Sequence, residues 1–171
     1  MKLAMILSAI FLCCQSAFAM PKVGDTLSVA MEISENGKVT IWSTSFLEYL
    51  SFDVANDVFT IRSTTKDSSG KNTVRNVTQT GSALRNLDNV QLYAMQNDCG
   101  PAGRRTEVLT LRGGQTIVAC KEKLDFPDGH SDVYYSAILP GWRFVKETNS
   151  RKDQDGLLVE SVTEVTGFTS N

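Results

Sequence analysis

From Thr26 onward the chain alternates apolar and polar residues with a period of two. Leu27, Val29, Met31 and Ile33 share one parity, with Ser28, Ala30 and Glu32 between them. That alternation predicts a half-buried strand over Thr26–Ile33. Glu35-Asn36-Gly37-Lys38 supplies an Asn-Gly hairpin turn, and Lys38–Ser43 returns with Val39 and Ile41 on one face. Phe46–Val54 carries both strand and helix spacing and reads better as a strand. Ala55-Asn56-Asp57 breaks it, Val58–Thr65 is rich in β-formers, and Lys66 to Lys71 is a polar turn. Val74–Thr80 is so polar that it predicts an edge or solvent-covered strand.

The second half continues the pattern. Ala83–Leu87, with Ser82 before it, predicts one helical turn, too short to stand alone. Strands are expected over Val90–Met95, Arg105–Leu111, Gln115–Lys123, Asp132–Leu139, Trp142–Thr148 and Leu157–Val165. Asn97–Gly103, Asp125–His130 and Asn149–Gly156 read as loops, and residues 167–171 as a flexible tail. No amphipathic helix of ordinary length separates the strands, which excludes a parallel α/β fold. The expectation is therefore an all-β chain: a small antiparallel barrel or a two-layer β-sandwich with one disulfide.

The N-terminus departs from this pattern. Lys2 precedes an apolar run from Leu3 to Cys14, and Ala17-Phe18-Ala19 has the small-x-small form of a signal-peptidase site. The run is too short for a membrane anchor, and no longer apolar stretch follows. The residues before Cys13 and Cys14 lack the small side chain that lipidation at those positions requires. The organisation expected is a cleaved signal over 1–19, one β domain over 20–166 and the tail. The destination is the periplasm or the exterior, with no transmembrane segment after cleavage.

Composition adds limits. The 171 residues carry 17 Lys plus Arg against 19 Asp plus Glu, a net charge of -2, which argues against a nucleic-acid binder. Outside the signal only Cys99 and Cys120 remain, and an oxidising compartment favours their pairing. That bond would close a hairpin's open end and contribute about 3 kcal/mol. No metal or cofactor motif is present. Asp153-Gln154-Asp155-Gly156 lacks the rest of a calcium loop, and two cysteines with one histidine do not make a zinc site.

Candidate chemistry is sparse. His130, the one histidine, lies between Asp128-Gly129 and Ser131-Asp132, which invites a Ser-His-Asp reading, although adjacent residues rarely achieve that geometry. Glu107, Glu122, Asp128 and Asp132 are the carboxylates a glycosidase would need, and they are equally ordinary surface residues. Asn76-Val77-Thr78 is a glycosylation acceptor where the machinery exists. Trp42 and Trp142 are expected to fill or edge the core. Arg104, Arg105 and Arg112 form a small basic group, and Tyr134 and Trp142 a nearby aromatic pair, so these five are the candidate partner-binding residues. The reading that results is an exported, non-catalytic β-protein binding a protein or cell-envelope component. Its rivals are a carrier of a small apolar ligand in a barrel cavity and, behind it, a carboxylate-based hydrolase.

Overall fold

The computed structural model describes residues 20–84, 105–136, 138–139, 141 and 145–171, and of Arg105 and Thr106 the backbone alone. The strands are β1 (Thr26–Glu35), β2 (Lys38–Asp53), β3 (Val58–Asp67), β4 (Asn72–Thr80), β5 (Arg105–Thr110), β6 (Thr116–Phe126), β7 (Gly129–Tyr135), β8 (Lys146–Lys152) and β9 (Leu158–Thr169). All belong to one antiparallel sheet in the order β4-β3-β2-β1-β9-β8-β7-β6-β5. Within β1–β4 and within β5–β9 consecutive strands pair, β4 and β5 are the two edges of the sheet, and β9 returns to pair with β1, so two wings meet at the β1–β9 seam. The all-β expectation holds. Among the described residues there is one continuous sheet, not the two separate sheets of a sandwich.

The local code explains the first wing. Asn36 and Gly37 both have positive φ (48° and 76°), the conformation of a tight hairpin turn whose twist matches its strands. Asp53 accepts backbone N–H bonds from Ala55 and Asn56, at 3.0 and 3.2 Å, and so fixes the next turn. Asp67 does the same for Ser69 and Lys71 at 2.9 and 3.1 Å. β4 is the polar edge strand of this wing. The two strands expected over Lys38–Ser43 and Phe46–Val54 are instead one 16-residue strand. Two single-residue bulges, at Thr40 opposite Ile33/Ser34 and at Leu50 opposite Thr60/Ile61, let it bend without ending.

In the second wing several expectations are corrected. Only Pro127 and Asp128 form the turn within Asp125–His130; Asp125, Phe126, Gly129 and His130 are paired strand residues. β7 stops at Tyr135 instead of running to Leu139. Asn149–Lys152, expected as loop, is the C-terminal half of β8. β8 sits between β7 and β9, so both edges of its backbone are hydrogen-bonded whatever its side chains. Residues 167–169 are not a free tail but pair with Thr26–Ser28. The Asn171 backbone N–H donates to Asp25 Oδ1 at 2.8 Å, while Lys22 N–H donates to Oδ2 at 2.7 Å. These two bonds satisfy a fully buried carboxylate. A helical turn is present but starts earlier than the expected Ala83, at residues 81–84, and so takes in Ser82, expected as its cap. The strand expected over Val90–Met95 and the loop at Asn97–Gly103 lie outside the described residues, and so do most residues of the strand start at Trp142.

The core is centred on Leu27 and Val29. Leu27 stands opposite Leu47 on β2 and Phe168 on β9, and Val29 opposite Val165. These join Leu111, Ile117, Ala119, Leu139 and Val145 in the larger apolar cluster. A smaller one gathers Tyr49, Phe59, Ile61 and Leu84. In it Phe52 stacks on Phe59 at 4.3 Å and Tyr49 meets the same ring edge-on at 5.8 Å.

The seam is closed by a hairpin tip. β8 begins opposite Glu164, so the last residues of β9 lack a strand on that side. The β5–β6 turn takes the vacant place. Gly113 N–H donates to the Thr166 carbonyl at 2.8 Å. The Gln115 side chain donates to the Phe168 carbonyl at 2.9 Å and accepts from its N–H at 3.0 Å. Thr166 is a bulged residue opposite Ser28/Val29, which frees its carbonyl for this contact.

Candidate functional site

Cross-strand register assigns side chains to faces. The face opposite Leu27 and Val29 carries the ion pairs. Glu48 meets Arg62 at 3.3 Å, Lys121 meets Asp132 at 3.0 Å, and Lys146 meets Glu164 at 3.8 Å. Arg112, from the docked hairpin tip, bridges Glu32 at 3.0 Å and Glu164. Burial works against the charged Arg112 side chain, but the hydrogen bond to Glu32 and the charges of Glu164 and Glu32 win and raise its pKa. The hydrogen bond between Lys121 and Tyr134, and then the one to Asp132, likewise raise the Lys121 ammonium. Lys121 Nζ lies 5.3 Å from the centre of the Tyr134 ring.

Two open grooves lie on this polar face. One, of about 320 Å³, crosses β1–β3 and is lined by Ser28, Thr44, Phe46, Thr64 and Lys66. The other, of about 270 Å³, crosses β1, β9, β8 and β7 and is lined by Ser34, His130, Thr148, Ser150, Glu160 and Val162, with Asn149 and Ser161 between them. Its residues form two adjacent rows. His130, Ser150, Glu160 and Ser34 stand opposite one another on four successive strands. Thr148 and Val162 stand in the next row, whose end residues Asp132 and Glu32 lie outside the lining. Asn149 and Ser161 have the other parity and hydrogen-bond to each other at 3.4 Å. The backbone of Gly129 presses on β8 beside the groove: a Cβ there would collide with the Ser150 carbonyl oxygen. Arg151 stacks over Phe126 at 4.1 Å on the other face of the sheet, since both stand opposite Gly129, one residue out of phase with His130.

Strand alternation separates the residues of the hydrolase readings. His130 and Asp132 share the polar face, while Ser131 between them is buried on the other. A Ser131–His130–Asp132 relay therefore cannot form. Glu122 pairs with Val133 and Asp132 with Thr148, so these two carboxylates also face opposite ways. Glu107 stands opposite Ala119 on the outermost hairpin, and Asp128 is exposed in its turn. Asp153 spends its carboxylate on the turn N–H groups of Asp155 and Leu157, at 2.9 and 2.8 Å. Among the described residues no group of three or more potential metal ligands occurs.

The expected partner-binding residues fare unevenly. Arg112 is the central cation of an internal ion-pair group, and Tyr134 is half-buried, in contact with Lys121 and with the larger apolar cluster. Arg105 opens β5, opposite Lys121. Arg104, Trp142 and Cys99 lie outside the described residues. Cys120 is fully buried on β6. Trp42 is half-buried opposite Glu32, on the polar face. Thr148, Ser150 and Ser161 were missed as site residues, because Ser150 falls in a segment that reads as loop and Thr148 at the end of the strand expected before it. A strand placed over 146–152 reveals the row.

No helix among the described residues is long and apolar enough to cross a membrane. No protein-family model matches the chain. No curated protein matches it either. Among solved structures it is similar to a "putative lipoprotein" from Parabacteroides distasonis ATCC 8503, with 11% identity and a TM-score of 0.45, covering 89% of this chain and 98% of that one. It is also similar to a β-barrel-like protein of a domain of unknown function from Brucella abortus, with 7% identity and a TM-score of 0.24, covering 90% and 100%.

Proposed function

We propose that the chain is an exported, non-catalytic β-protein that binds a protein or cell-envelope component through the polar face of its sheet. One observation carries this reading. Ser34, His130, Thr148, Ser150 and Glu160 converge on one groove, yet none has a side-chain hydrogen bond or ion pair with a described residue. Polar groups gathered in a concavity and left unspent by the fold are what a ligand uses. Separation of Ser131 from His130 supports the non-catalytic reading. Export is supported by the N-terminal pattern. With it goes a Cys99–Cys120 bond, for which the full burial of Cys120 is favourable, since a buried disulfide is shielded from exchange.

The test is site-specific photo-crosslinking in cells expressing the full chain. A photoreactive residue at Ser150 should yield a discrete adduct that is absent when it is placed at Arg75 on β4. Intact mass of the purified product should show cleavage after Ala19 and no alkylated thiol before reduction. A product without adducts from Ser150 overturns the assignment of the binding face. An uncut product with two reactive thiols overturns export.

A further inference from the structure

We infer that the groove over β1, β9, β8 and β7 takes a neutral polyhydroxyl ligand, a sugar unit. This rests on the binding reading above and gives it a chemical class. Its hydrogen-bonding inventory is mixed. Ser34, Thr148 and Ser150 each offer a donor and two acceptors, the His130 ring adds two hydrogen-bonding nitrogens, and the Glu160 carboxylate accepts. A ligand that satisfies such a wall must itself alternate donors and acceptors over short distances, as ring hydroxyls do.

Charge excludes the other polar classes. Glu160 stands in the middle of the His130–Ser150–Glu160–Ser34 row and repels an anion, and no Lys or Arg lines the groove to offset it. A multivalent cation would find a single carboxylate among the lining residues, too few for a hard oxygen site. Val162, in the adjacent row, supplies the apolar floor against which the C–H face of a pyranose packs.

Size and spacing agree. At about 270 Å³ the groove is just below the roughly 300–1,000 Å³ of drug-sized ligand sites, room for one ring with its neighbours outside. The four residues of the row are spaced by one interstrand step, about 4.8 Å, close to the length of one sugar unit in an extended chain. An oligosaccharide lying across the strands would thus meet a fresh polar side chain at every step.

The experiment is an amide-resolved NMR titration of the purified exported protein with two probes, maltotetraose and tetra-N-acetylchitotetraose. At least one should shift the amides of His130, Thr148, Ser150 and Glu160 together while leaving those of Thr44 and Thr64 in the other groove in place. Ser150→Val, which retains strand propensity, should weaken that binding by about tenfold through the loss of matched hydrogen bonds. Ser28→Val in the other groove should leave it unchanged. Absence of shifts with both sugars at about 10 mM overturns the sugar assignment. Adducts from Ser150 in cells would then still uphold the binding face, whereas loss of both signals removes site and ligand class together. Shifts confined to the β1–β3 groove would also overturn the inference.

Discussion

The two wings of the sheet are built by different means. In β1–β4 each strand passes to the next through a turn whose residues dictate it: Asn36-Gly37 by positive φ, and Asp53 and Asp67 by carboxylates that hold turn N–H groups. In β5–β9 the β8–β9 turn repeats the carboxylate device through Asp153, but the contacts that close the seam are distant in sequence. Arg112 reaches Glu32 and Glu164, Gly113 reaches Thr166, and Gln115 reaches Phe168. The difference teaches that strand polarity is tolerated where neighbours supply both hydrogen-bonding edges. β8, with the sequence KETNSRK, is an interior strand with no large apolar residue. That tolerance also allows unspent polar side chains to collect in a groove.

Substitutions that act on one wing at a time sharpen this contrast. Gly113→Ala should have the largest effect, because a Cβ there presses against the Thr166 carbonyl at 2.8 Å and must push the hairpin tip off β9. The expected cost is about 2 kcal/mol, a shift in urea midpoint of roughly 1 M. Amide exchange should rise at Phe168 and Gly113 while the β2–β3 ladder stays protected. Equal loosening of both wings would show that the seam is not a separate element.

Gly37→Ala comes next. Nothing lies within 4 Å of the added methyl, so the cost is the left-handed backbone alone, about 1 kcal/mol. Its effect should stay within the β1–β2 hairpin. A loss as large as that of Gly113→Ala would erase the distinction between locally and remotely specified turns.

The smallest effect is a pH dependence at the β3–β4 turn. The hydrogen bond from the Ser69 hydroxyl, with backbone bonds from Lys71 and Ser69 and the Lys71 charge, holds the Asp67 carboxyl below the usual 3.8, against the opposing effect of desolvation. A carboxyl lowered in the folded state stabilises above its unfolded pKa and loses that contribution as pH falls through the folded one. The melting-temperature difference between wild type and Asp67→Asn should therefore be present at pH 6 and shrink toward zero by about pH 2. A difference that stays constant over that interval would assign the Asp67 effect to shape, not charge.

Much of the architecture was legible because period-two alternation and turn residues are local signals. Leu27/Val29, the Asn36-Gly37 turn and the polar edge strand β4 stand where the residues put them. Misplaced elements share a cause: polar composition in β8, and the turn-prone Asp125–His130, outweighed pairing partners that local reading cannot see. The candidate site was less legible. His130 drew notice as the one histidine, but its neighbours across the strands, Ser150, Glu160 and Ser34, are ordinary residues far apart in the chain.

The amino-acid order by itself settled that this is a β-protein and where most of its hairpins turn, since alternation and turn chemistry act over a few residues. Only the tertiary structure decided that β9 returns to β1, that Ser131 and His130 face opposite ways, and that one groove gathers the free polar groups. These outcomes depend on register between distant strands, and a single bulge such as Thr166 shifts a whole register by one residue.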